Sequence, residues 1–147
     1  MTMRWSLLAL LVLAATASAD DGASAARGRQ LFEGEVSVPA RIVGQDFALP
    51  AEASRCVNCH GPVRGSAASS PGAAQRIGPA LTPATLAEAM RRRGGPPSRY
   101  DAASLCTLLR SGVDPAHVII LRTMPRYEIS DADCRSLWQH LGQPTPR

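Results

Sequence analysis

Five consecutive residues, Cys56-Val57-Asn58-Cys59-His60, constrain this chain more than any other part of it. Thiols at Cys56 and Cys59 fall on one side of a single helical turn, and an imidazole follows at once. C-x-x-C-H is the spacing that attaches a c-type haem: the two thiols reach two vinyl groups of one porphyrin, and the histidine presents its ring to the iron. Cys-x-x-Cys also occurs in redox dithiols and in zinc sites. Zinc would need further ligands, and Cys106 and Cys134 are too far apart in sequence to supply a second paired motif. A thioredoxin-like dithiol would need a βαβ context that this sequence lacks. The pattern therefore predicts one covalently bound haem c.

The N-terminus fits that chemistry. Arg4, the apolar run Leu7–Leu13 and the small residues Ala17-Ser18-Ala19 are the three parts of a secretory signal. The run is shorter than the roughly 20 residues that cross a bilayer. The expectation is a signal peptide over residues 1–19 and a single domain over residues 20–147, located in the periplasm, with no transmembrane segment in the mature chain. That oxidising compartment permits disulfides. All 16 basic residues are arginine, and the formal charge of +4 drops to +3 once Arg4 is removed. This is too mild, and too poor in interleaved aromatics, for nucleic acid binding. The mature chain is also short of large apolar residues for its length, and a haem would supply part of a core.

The periodicity predicts a mostly α chain of four or five helices with long loops. The first covers Ser24–Glu33, with Gly28, Leu31 and Phe32 on one face and Gly34 at its end. Residues 35–54 form a long connection with a short strand at Val36–Val38 or a small hairpin. The haem motif sits on a short helix. Residues 61–76, rich in Gly, Ser, Ala and Pro, form a surface loop. A helix over Pro83–Arg93 starts at the Thr82 cap and places Arg91, Arg92 and Arg93 in its last turn, where they complement the helix dipole. Another runs from the Asp101 cap to Ser111, before Gly112. The last opens at Ser130-Asp131-Ala132-Asp133 and ends before Gly142.

A haem iron held by His60 needs Met, His or an open position on its other side. Met124 lies in the non-helical stretch Arg122-Thr123-Met124-Pro125-Arg126-Tyr127, where Pro125 keeps it out of a helix, and is the favoured ligand. His117 is its rival. Met90, four residues after Leu86, and His140, beside Leu137 and Leu141, read as packing residues. Cys106 and Cys134 both fall on inward helix faces and form either a disulfide or two buried thiols. A bond there would bracket Met124 and be worth about 3–4 kcal/mol in the loop-entropy model.

Four groups of residues, Cys56-x-x-Cys59-His60, Gly78-Pro79-Ala80-Leu81, Met124-Pro125-Arg126-Tyr127 and Ser130-Asp131-Ala132-Asp133 with Leu137, resemble the class I c-type cytochromes. The resemblance spans Gly28 to Leu141. It implies an all-α, class I cytochrome c-like fold with four or five helices wrapped around one haem. It implies that Pro79 packs on the His60 ring while a nearby carbonyl accepts the Nδ1 proton, that Leu81 belongs to the same haem-binding strap, and that the first and last helices cross at Gly28 and Phe32. The chain departs from the family in its longer loop before the motif, in the basic, proline-rich segment Arg91–Arg99, and in having cysteines at 106 and 134.

The expected function is a periplasmic single-electron carrier, not an enzyme, serving periplasmic redox partner proteins. Arg55, Arg64, Arg122 and Arg126 flank the two haem-binding segments and suit an acidic docking face. The alternatives are a fixed cytochrome subunit of a periplasmic dehydrogenase or oxidase complex, with the 35–54 and 91–100 loops as contacts, and a haem-based ligand sensor.

Overall fold

A computed structural model describes residues 17–61 and 78–143 of the chain. The signal assigned to residues 1–19 and the loop assigned to 61–76 lie outside these bounds except at their edges.

Helix α1 (Ala17–Glu33) starts earlier than its expected Ser24 and stops at Gly34. Helix α5 (Asp131–Leu141) is capped by the Ser130 hydroxyl, which accepts from the Asp133 amide at 3.1 Å. The two helices form the most extensive contact in the molecule. They approach at Gly28, where a Cβ would collide with the Ser136 carbonyl of α5. Around this point Leu31 and Leu137 are buried, and the Phe32 and His140 rings lie 5.6 Å apart at 53°. Arg27 pairs with Asp133 at 2.9 Å on the outside. Partial burial against α1 pulls the His140 pKa below its ordinary value.

Helix α4 (Ala102–Ser111) begins at Asp101, whose carboxylate accepts from the Ser104 amide at 2.7 Å, and ends at Gly112, φ 77°. Its inward face buries Leu105, Leu108 and Leu109. Cys106 of α4 is disulfide-bonded to Cys134 of α5, with Cα atoms 5.5 Å apart. Cys134 is fully enclosed.

Three expectations are overturned. The helix expected over Pro83–Arg93 is only α3 (Pro83–Ala87); the chain leaves the helical conformation at Glu88 and returns as the hairpin β2 (Met90–Arg91) and β3 (Pro97–Ser98). Gly94-Gly95-Pro96 reverses the chain between them, and Arg92 supplies what the missing helical turns would have: its guanidinium donates to Thr85 O at 2.6 Å and to Ser98 O. It also lies 5.0 Å over the Tyr100 ring. Second, the strand in the 35–54 connection is not Val36–Val38 but β1 (Ala40–Arg41), which pairs antiparallel with β4 (Arg126–Tyr127). Third, five helices together with two small antiparallel sheets are not the all-α, class I cytochrome c-like architecture expected. Helical periodicity runs on across Glu88, but there the bonds from Arg92 to backbone carbonyls and the pairing of β2 with β3 prevail, and strands of two residues carry no alternating pattern. The short helix expected over the C-x-x-C-H run is present as α2 (Cys56–His60).

Two outcomes follow from this packing. Replacing Gly28 by Ala gains about 1 kcal/mol of helix propensity but drives a methyl into a backbone carbonyl that cannot yield; overpacking of about 3 kcal/mol wins. The variant loses about 2 kcal/mol in urea denaturation at constant m value. In unfolded, unreduced protein, Cys106 and Cys134 resist alkylation and become reactive only after reduction; labelling of both without reductant contradicts the bond.

Candidate functional site

The haem-motif turn is built from the outside inward. Ser54 is buried, its hydroxyl donating to Ala51 O at 3.1 Å, and Asn58 Nδ2 donates to Glu52 O at 2.7 Å, which anchors α2 to the connection before it. Gly78-Pro79-Ala80 forms a strap over α2. Its two ends are pinned: the Gly78 amide donates to Cys59 O at 3.1 Å, and the Thr85 hydroxyl donates to Ala80 O at 2.8 Å. The pinned strap puts Pro79 O 2.8 Å from His60 Nδ1. A proton on Nδ1 satisfies that carbonyl and leaves Nε2 as the nitrogen with a free lone pair. Gly78 is what allows the ring in, since a Cβ there would lie 2.7 Å from Nδ1.

Beyond His60 opens a cavity of about 450 Å³, within the range of small-molecule and cofactor sites. Its wall brings together all six residues singled out in the sequence: Cys56, Cys59, His60, Pro79, Leu81 and Met124. Phe32, Leu137 and Leu141 close it from the α1–α5 side, and Leu105, Leu108 and Leu109 from α4. The lining is mostly apolar and the space is large enough to admit a cofactor-sized group.

The donor set distinguishes the guests. Cys56 and Cys59 are not bonded to each other. Among the described residues no three His, Cys, Asp or Glu side chains converge as a metal ion would require. Burial pushes the Cys56 thiol up to about 11, against the opposing effect of the Tyr127 hydroxyl beside it. Redox dithiols work the other way, with a lowered thiol pKa. A broad, flat, mostly apolar group carrying one metal at its centre fits the residues present: two thiols on one edge, one imidazole, one thioether and aliphatic walls.

Met124 sits in a turn closed by its own amide, which donates to Leu121 O at 3.2 Å. The rival His117 is exposed, has φ 60°, and does not line the cavity; nor does His140, which packs on Phe32. Met90 departs from its expected role. It lies on β2 rather than on a helix, and it lines the same cavity as Met124.

Several residues were invisible as site residues in the sequence. Tyr127 donates its hydroxyl to Ser54 O at 2.8 Å and so ties the Met124 segment to the haem-motif segment; burial and then the neighbouring Cys56 raise its pKa. Arg92, Arg93 and Tyr100 reach the wall from the β2–β3 side. Of the four arginines expected at a docking face, Arg55 and Arg122 are exposed, Arg64 lies outside the described residues, and Arg126 is buried.

Comparison with protein-family models, curated proteins and solved structures finds no match to this chain.

Widening Gly78 tests the strap. Gly78→Val turns the His60 ring away and removes the Nδ1–Pro79 O bond, at a cost of about 1 kcal/mol in stability. In wild type the Nδ1 proton gives a slowly exchanging imidazole resonance; the variant loses it while the remaining histidine signals stay in place.

Proposed function

We propose that this protein binds one haem c through Cys56 and Cys59 and acts as a periplasmic single-electron carrier, with His60 and Met124 as the residues that would hold its iron. The observation that carries this reading is the convergence of Cys56, Cys59, His60, Pro79, Leu81 and Met124 on one largely apolar cavity. The likeness of these motifs to class I c-type cytochromes supports the chemistry without extending to the fold.

Bound there, the haem supplies a one-electron Fe(III)/Fe(II) couple. The chain's own residues do the rest. Pro79 O holds the Nδ1 proton of His60, so that Nε2 stays deprotonated and aimed inward. The thioether of Met124 is a soft ligand that favours the reduced metal and raises the potential relative to a second imidazole. The leucines of α4 and α5 exclude water. Were His60 and Met124 both to hold the iron, no position on it would be left for a substrate, which favours a carrier over an enzyme. A ligand sensor needs a readily displaced sixth ligand, and the pinned turn at Met124 opposes that. Exposed Arg55 and Arg122 border the two segments and favour a partner with an acidic face. No helix among the described residues is long and apolar enough to cross a membrane.

One observation favours the second reading, a fixed subunit of a larger redox complex. Val43 and Phe47, both on the 35–54 connection, are 45% and 61% exposed. Apolar side chains held out on one loop suit a lasting contact. A carrier elutes alone on gel filtration of a native extract, whereas a subunit elutes with its complex.

The ligand assignment is read optically. Ferric wild type shows the weak red charge-transfer band of Met-ligated haem; Met124→Ala loses it and Met90→Ala keeps it. The opposite pattern assigns the iron to Met90. Haem-loaded protein lacking the band in wild type and both variants removes the His/Met carrier reading.

A further inference from the structure

Arg126 is the one arginine of the described residues that is buried, at 9% exposure. Burying a guanidinium is costly unless its donors are satisfied. Among the described residues no carboxylate pairs with it, and its Nε has no hydrogen-bond partner. A leucine or methionine would fill the same slot without that cost. The only hydrogen bond the side chain makes among the described residues is from Nη1 to Met124 O, at 2.5 Å. The slot itself is specific. Gly112, the φ 77° residue that ends α4, lies against the guanidinium, and a Cβ at that position would overlap it. Behind it, the Arg126 backbone is held in β4 against Arg41 of β1.

We propose that Arg126 is an internal tether: seated on Gly112, its guanidinium holds the Met124 carbonyl and so fixes the turn that presents the thioether to the cavity. The tether joins three parts of the fold at one point, namely the end of α4, the β1–β4 pairing and the Met124 turn. A charged donor makes a stronger hydrogen bond than a neutral one, and a planar guanidinium cannot follow the carbonyl if the turn swings out. Arg126 is a positioning residue. Its bearing on the iron rests on the reading of Met124 as a ligand, but its bearing on the turn does not.

The test uses the full holoprotein and two readouts. Amide hydrogen exchange over residues 121–125 reports the turn, and the red ferric band reports the sulfur. Arg126→Leu speeds exchange at 121–125 about tenfold or more while α1 and α5 keep wild-type protection, and it weakens the band. Arg126→Lys, which keeps the charge but not the fork, recovers part of both. Gly112→Ala, which leaves the arginine in place but fills its seat, gives the same local acceleration. Unchanged exchange at 121–125 in Arg126→Leu overturns the tether. So does acceleration spread equally over α1 and α5, which would mark Arg126 as an ordinary packing residue. Loss of the band in wild type itself, with fast exchange still confined to 121–125 in Arg126→Leu, keeps the tether and overturns only the assignment of Met124 to the iron.

Discussion

The approach of α1 onto α5 at Gly28 carries the rest of the structure. The chain has few large apolar side chains, and a small domain buries little surface by itself. Backbone brought against backbone at Gly28 and Ser136 lets Leu31, Leu137 and Leu141 bury one another with short reach. The same two helices then present Phe32, Leu137 and Leu141 as a wall of the cavity. The disulfide from Cys134 to Cys106 adds α4 to that frame. Everything around the cavity is hung from these three helices by loops.

Loops position polar groups well only when their backbone bonds are accounted for. In this molecule they are. The strap over His60 is fixed at Gly78 and Ala80, the motif helix at Ser54 and Asn58, and the Met124 segment at Leu121, Ser54 and Arg126. The long connection before the motif is part of this scheme. Its strand β1 backs β4, its Pro39 carbonyl accepts from the Glu128 amide at 2.9 Å, and its Arg41 pairs with Glu128. This connection is thus a support for the far side of the site.

Much of the site was legible because its residues are chemically unusual. The Cys-x-x-Cys-His run and the Met124-Pro125 pair mark positions by their own chemistry, and the Gly-Pro-x-Leu strap was marked by its resemblance to the class I c-type cytochromes. Helices α4 and α5 were legible through their caps, Asp101 and Ser130, and through Gly112 and Gly142. The rest was hidden for identifiable reasons. Helix α3 stops after Ala87 although Glu88, Ala89 and Met90 are good helix formers, because Arg92 takes the Thr85 carbonyl from outside the helix. Strands of two residues carry no period. Arg126 looked like any surface arginine, and only the space beside Gly112 shows that it turns inward.

The pairing of β1 with β4 has a consequence for the order of events in making this protein. Its flanking ion pair, Arg41 with Glu128, joins residues 87 apart in sequence. Contacts of such separation must overcome the entropy of closing a long loop, and they form late. Cys56 and Cys59 lie inside that loop, and Met124 near its far end. A covalent guest joined to the two thiols would therefore meet a chain whose far wall is still open, and the return strand would close over it afterwards. Assembly and folding would then be one process, with the guest acting as the template on which the last third of the chain settles.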